Sequence, residues 1–183
     1  MAQPTEDYKN RVQAIYAKSK IILTDEELSA IDYADFGLNN WEEEGLNLIL
    51  YVNNDRYCAK EMALLPNQTC PEHVHPDWNK NEGKQETFRC RWGDVYLYVE
   101  DKNSLPLTLK GTDIKLPVKN QRYYTANKGY HLNAGEQYTI PPKTKHWFQA
   151  GSKGAVISEF SSPSFDKYDE FTNPNVKREV RDR

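Results

Sequence analysis

Two histidines stand one residue apart, in His73-Val74-His75. Side chains alternate faces along an extended strand, so such a pair sends both imidazoles to one side, where both can reach one ion. Two further groups of ligating type follow. Glu86 lies in the run GKQETFRCRWG, and His146 lies near the end of GEQYTIPPKTKHW. An HxH pair alone is a weak sign of metal chemistry, because satisfied or exposed histidines are the commoner explanation.

The spacing around these residues carries more. Six residues separate Glu86 from Gly93; Gly135 is followed by five residues and Pro141, and His146 stands five positions beyond. The two segments resemble the paired motifs of the cupins, HxH with Glu and a distant Gly, then G(x)5P followed by His. That resemblance implies one site built from His73, His75, Glu86 and His146. The interval from HxH to Glu86 is longer than usual in that family, which implies a longer loop over the site. Lys143 stands where the second motif usually has Gly, which implies a slightly different turn. Three imidazoles and one carboxylate, without thiolate, suit Mn, Fe, Co, Ni or Zn and leave positions open on an octahedral ion. The plainer reading makes Glu86 a solvated strand-end carboxylate and His146 a hydrogen-bonded core residue.

The elements that must position these groups are mostly strands. From Gly45 the chain breaks into short apolar or alternating runs, NLILYV, RYCAKEMALL, TCPEHVHP, ETFRCRW, DVYLYVE, QYTIPP, HWFQA and AVISEFS. Asn54-Asp55, Pro66-Asn67, Gly93-Asp94, Pro141-Pro142 and Gly151 to Gly154 read as turns, and the Gly93-Asp94 and Gly151 to Gly154 pieces as hairpin connections. Residues 101 to 131 are polar and less regular, an excursion with uncertain strands. Before the strands, Tyr8, Val12, Ile15 and Tyr16 recur at helical spacing, and Thr24 with Glu27 forms a capping-box signature for a second helix running toward Gly37. The expected fold is all-β, a cupin double-stranded β-helix (jelly-roll barrel) with N-terminal helices. Residues 1–44 form a helical segment packed on the barrel, 45–165 the barrel and 166–183 a charged tail, loosely held or used in an oligomer contact, within one domain.

Composition narrows the function classes. The formal net charge is −3, with acidic and basic residues intermixed, which gives no footprint for nucleic acid or a membrane surface. MAQPTEDYKN has no basic segment leading into an apolar stretch, so a soluble, cytoplasmic chain is expected. Cys58, Cys70 and Cys90 contain no CxxC pair and read as buried small apolar groups.

Longer phrases sharpen the likeness: GLNLILYVNNDRYCAKEMALLPNQTCPEHVHP, GKQETFRCRWGDVYLYVE, GEQYTIPPKTKHWFQAG and GAVISEFSSPSFDKYDEFTNP. Over residues 33 to 178 they resemble the D-lyxose ketol-isomerase family of cupins. The resemblance implies a manganese-dependent isomerase acting on D-lyxose and D-xylulose, often also on D-mannose and D-fructose, and commonly a homodimer. Carried over residue by residue, its metal ligands fall on His73, His75, Glu86 and His146. Lys167 and Asn173 stand where acidic residues are expected, a departure that bears on substrate preference.

Interconverting an aldose and a ketose moves a proton between neighbouring carbons, so a base and a means of stabilising enediolate charge are needed. A carboxylate within an apolar strand is costly unless it has a role, and Glu159 in AVISEFS is the candidate base. Lys84, two residues before Glu86, is the candidate for hydrogen-bonding or protonating sugar oxygens, against a reading as a solvent-facing loop residue. Asp166 is a candidate for binding sugar hydroxyls. Trp78, Trp92, Tyr98, Trp147 and Phe148 offer flat faces to a sugar, although most read as core. His131 lies outside both motifs, at the substrate or on the surface. Two rivals share the same ligands: a cupin dioxygenase and a non-catalytic sugar-binding cupin.

Overall fold

The computed structural model describes residues 3–178; Met1, Ala2 and the end of the expected tail, 179–183, lie outside the described residues. Helix α1, Glu6–Lys18, begins where the Thr5 hydroxyl accepts a hydrogen bond from the Tyr8 N–H, and it buries Tyr8, Val12, Ile15 and Tyr16 along one stripe. Helix α2, Asp25–Ser29, has the complete capping box of Thr24 and Glu27 but does not continue toward Gly37. It buries none of its residues fully, and Leu28 is only half-buried against the α1 cluster, so little packing sustains a longer helix. The chain instead turns into strand β1, Asp32–Ala34.

The remaining strands are β2 Leu46–Asn53, β3 Cys58–Leu64, β4 Thr69–Val74, β5 Glu86–Val99, β6 Lys128–Asn133, β7 Gln137–Ile140, β8 His146–Ser161 and β9 Glu170–Phe171. All their pairings are antiparallel, in the order β1-β2-β3-β8-β4-β9, with β5 alongside β8 and carrying β6 and β7 on its other edge. The sheet curls on itself as the expected cupin-type barrel with N-terminal helices.

Two expected hairpins are absent. Gly93-Asp94 lies inside β5 and Gly151 to Gly154 lies inside β8, so four expected strands are two long ones. The glycines face each other across one ladder, in which Gly93 pairs with Ala155 and the register shifts on both sides of the Trp92-Gly93 pair. Gly93 has φ +71°, and a Cβ there would meet the Gly154 carbonyl oxygen at 2.0 Å. Close backbone approach and β-bulges bend a strand without ending it, which is the work these residues do.

Phe88, Cys90, Leu97, Phe148 and Ile157 belong to the barrel core, with Met62 and Leu64. The outer face of β3 and β8 is covered by α1, with Tyr8, Val12, Ile15 and Tyr16 packed on Ala63, Leu65 and Val156. Elsewhere Ile114, Tyr124 and Ala126, from the irregular excursion, seal Tyr98 and Trp147. Both faces of β8 are therefore covered, which is why HWFQA reads as a continuous apolar run. The excursion is anchored by buried Glu72, whose carboxylate accepts from the N–H groups of Thr125 and Ala126. Among the described residues no helix is long and apolar enough to cross a membrane.

Candidate metal centre

His73 lies in β4 and His75 one residue past its end; Glu86 opens β5 and His146 opens β8. His73 and His146 are register partners, and the ring centroids of His73 lie 4.8 Å from His75 and 4.3 Å from His146. The ligand atoms of the three histidines lie within 4.8 Å of one another. Glu86 Oε1 reaches them from the other side, 3.1 Å from His75 Nε2 and 2.9 Å from His146 Nε2. All four residues are buried, Glu86 at 1% exposure and His146 at 0%. The plainer reading of Glu86 as a solvated carboxylate is thereby removed.

Hydrogen bonds at the far ring nitrogens assign the tautomers. His73 Nδ1 lies 2.8 Å from the Pro71 carbonyl and His146 Nδ1 2.9 Å from the Thr144 carbonyl. A carbonyl only accepts, so Nδ1 carries the proton in both and the Nε2 lone pair is left for the site. His146 Nε2 is buried without a hydrogen-bond partner, although Glu86 Oε1 is close by. A lone pair and a carboxylate oxygen at that separation repel unless positive charge lies between them, and a cation held by these atoms removes the conflict. The residues fit a metal ion.

Around this cluster the charges are tightly paired. Lys84 Nζ lies 2.7 Å from Glu86 Oε2 and 3.1 Å from Glu159 Oε1, and both Lys84 and Glu159 are buried. The solvent-facing reading of Lys84 is overturned. Burial pulls the Lys84 ammonium down, but Glu159 and then Glu86 outweigh it and hold its pKa well above the ordinary value. Burial likewise works against the Glu86 carboxylate, yet Lys84, His75 and His146 keep it well below the usual range. At His73 burial is reinforced by the neighbouring His146 and His75 rings, and the ring is held neutral. Farther along the pocket, Lys60 Nζ lies 3.0 Å from Asp166 Oδ2 and 3.7 Å from Glu159 Oε1. Ser164 also donates to Asp166.

Most of these groups line one pocket with an empty volume of about 410 Å³, part of it open to solvent. Its polar wall is Lys60, His73, His75, Lys84, Glu86, Glu159, Asp166, Asp169 and Arg178. Its apolar wall includes Phe88, Phe148 and Phe171. Glu159, Lys84 and Asp166 are thus brought beside the candidate ligands. Lys60, Asp169 and Arg178 are absent from the sequence-based candidates. Lys60 shares the inward face of β3 with Cys58 and Met62, and that period was the available signal.

Other residues lie elsewhere. His131 is on the surface, 2.9 Å from Asp94 and stacked on Tyr96. Tyr98 and Trp147 stack on each other under the excursion, and Trp92 packs beneath Lys18 on the α1 side. Trp78, in the long loop before Glu86, stacks on Tyr168 in a second cavity that shares His75, Lys84 and Asp169 with the pocket. Lys143 has φ +57°, a left-handed backbone conformation that glycine adopts without strain. Burial pushes the Cys58 and Cys90 thiols up to about 11, consistent with apolar filling.

Comparison with known proteins gives a concordant picture. A family model described as D-lyxose isomerase matches residues 8–181. The D-lyxose ketol-isomerase of Cohnella laeviribosi is 51% identical over 170 residues, covering 93% of this chain and 91% of that protein. The D-lyxose/D-mannose isomerase of Thermosediminibacter oceani is 51% identical over 173 residues, covering 94% and 93% respectively. Among solved structures, the L-ribose isomerase of Acinetobacter sp. DL28 in complex with L-ribose superposes with a TM-score of 0.74 at 15% identity, covering 93% of this chain and 92% of that one. The ligand-free L-ribose isomerase of Cellulomonas parahominis gives 0.71 at 15% identity, covering 93% and 91%. At that identity the likeness speaks for the fold alone. With the family model spanning almost the whole chain and relatives half identical over more than nine-tenths of it, the chain belongs to the D-lyxose isomerase family.

Proposed function

We propose that this protein is a metal-dependent aldose-ketose isomerase that interconverts D-lyxose and D-xylulose, and also D-mannose and D-fructose, by proton transfer through an enediol. The observation that carries the proposal is the buried meeting of three imidazoles with Glu86, opening onto a pocket that holds a second carboxylate, Glu159, and an ammonium, Lys84. His73, His75, Glu86 and His146 would hold the ion, Mn2+ in this proposal, and their chemistry also suits Fe, Co, Ni or Zn. When bound, it supplies Lewis-acid stabilisation of charge on the sugar oxygens.

The chain's own groups do the rest. Glu159 accepts from Lys84 and from the Ser161 hydroxyl, which hold its carboxylate in place to take a proton from one sugar carbon and return it to the next. Lys84 hydrogen-bonds or protonates the sugar oxygens, being fixed between Glu86 and Glu159. Asp166, held by Lys60 and Ser164, binds hydroxyls farther along the sugar. The surrounding apolar wall excludes water and strengthens each of these contacts. The proposal extends to a single-domain cytoplasmic protein acting as a homodimer, for which the exposed rings of Tyr51, Tyr57 and Phe160 offer apolar surface.

The test is an isomerisation assay on pentoses and hexoses, using chelated protein restored with individual divalent metals. D-lyxose turnover that returns with metal, under anaerobic conditions, is expected. Metal-restored protein that consumes dioxygen and isomerises no sugar would point to the oxidative rival.

A further inference from the structure

The three histidines are not held alike. His73 and His146 each donate Nδ1–H to a carbonyl two residues earlier on the same stretch of chain, so their ring directions come with local structure. His75 has no such support. It lies beyond the last residue of β4 and before Pro76, and its Nδ1 is 2.6 Å from Asp169 Oδ1, 94 positions away in sequence.

Asp169 is delivered by the segment that follows β8. A 3-10 turn at Asp166–Tyr168 leads into β9, which pairs Glu170 with Val74 and Phe171 with His73. The Phe171 ring centroid lies 5.4 Å from that of His73, and the Asp169 side chain is only 10% exposed. The final strand therefore docks beside the histidine pair and sets a carboxylate behind one ring.

We infer that Asp169 is a positioning residue for the ion site. By accepting the Nδ1 proton of His75 it fixes the tautomer with its lone pair at Nε2, aims that lone pair at the ion and raises its basicity. Docking of the C-terminal strand and ion affinity are thereby linked. This inference rests on the reading of His73, His75, Glu86 and His146 as ligands. It separates two acids of one turn: Asp166 engages Lys60 on the pocket wall, whereas Asp169 acts through His75.

The experiment measures Mn2+ and Zn2+ affinity by chelator competition for wild type, Asp169→Ala and Asp169→Asn, per mole of protein shown to be folded by circular dichroism. Loss of an outer partner of this kind weakens metal binding by roughly 10–100-fold, and that loss is expected for Asp169→Ala. Asp169→Asn keeps an acceptor oxygen without its charge, and an intermediate affinity is expected. The intermediate value is one that a merely structural role would not give, because loss of fold changes the amount of binding protein and not the affinity of each molecule. Wild-type affinity in folded Asp169→Asn overturns the inference, whether or not Asp169→Ala folds. Absence of ion binding by wild type overturns the ligand reading itself, a separate outcome.

Discussion

Glu86 and His146 sit at opposite ends of the same β5–β8 ladder, yet Glu86 Oε1 lies 2.9 Å from His146 Nε2. In register, Glu86 faces Ser161 and His146 faces Val99. If straight, the strand from Glu86 to Val99 would span roughly 43 Å at about 3.3 Å per residue. The ladder must therefore bend back on itself, and the candidate centre exists only where its two ends meet. Its geometry is a property of barrel closure and not of either strand alone.

Gly93 is the point where that bend is most exposed to test. Gly93→Ala would drive a methyl group into the Gly154 carbonyl from a backbone with φ +71°. A loss of about 2–4 kcal/mol in unfolding free energy is expected from strain and a broken ladder, read by denaturant titration.

Glu159→Gln should lower turnover by about 10²–10⁴-fold, the usual worth of a general base, while the protein keeps its ion. The check pairs steady-state kinetics with metal analysis of the same sample. Turnover within a few-fold of wild type would remove Glu159 as the base.

Lys84→Met leaves Glu86 and Glu159 buried without their shared countercharge. Breaking such a pairing costs about 3–5 kcal/mol, and that destabilisation is expected in the metal-free protein. Added metal should stabilise this variant more than it stabilises wild type, because the cation takes over part of the lost charge. Thermal melts with and without metal make the comparison.

Chelation of wild type should lower its stability by an amount set by mass action. At a free ion concentration a hundred times the dissociation constant, the difference is about 2.7 kcal/mol. A melting temperature that does not respond to metal would show that the cluster binds none under those conditions.

Much of this site was legible because strand side chains alternate. His73 and His75 share a face for that reason, and the motif spacing picked out Glu86 and His146 although the fold, not the sequence order, joins them. Glu159 was reachable through its place on β8, the strand that also carries His146, and Lys84 through its place two residues ahead of Glu86, just before β5 begins. Asp169 was not, since its relation to His75 depends on a two-residue strand docking across 94 positions. Gly93-Asp94 and Gly151 to Gly154 misled for a physical reason. Glycines that permit a hairpin also permit two backbones to approach and bend, and only the pairing partner distinguishes the two uses. The excursion is irregular over most of its length, but its final residues, Lys128 to His131, begin β6.

The most direct measurement is anomalous diffraction at the manganese edge from crystals of the Mn2+-loaded protein. One peak is expected, roughly 2.0–2.3 Å from Nε2 of His73, His75 and His146 and from a Glu86 oxygen, with further positions open toward Glu159 and Lys84. A peak elsewhere, or none with Mn2+ present in excess, would contradict a single ion held at the meeting point of the β5–β8 ladder.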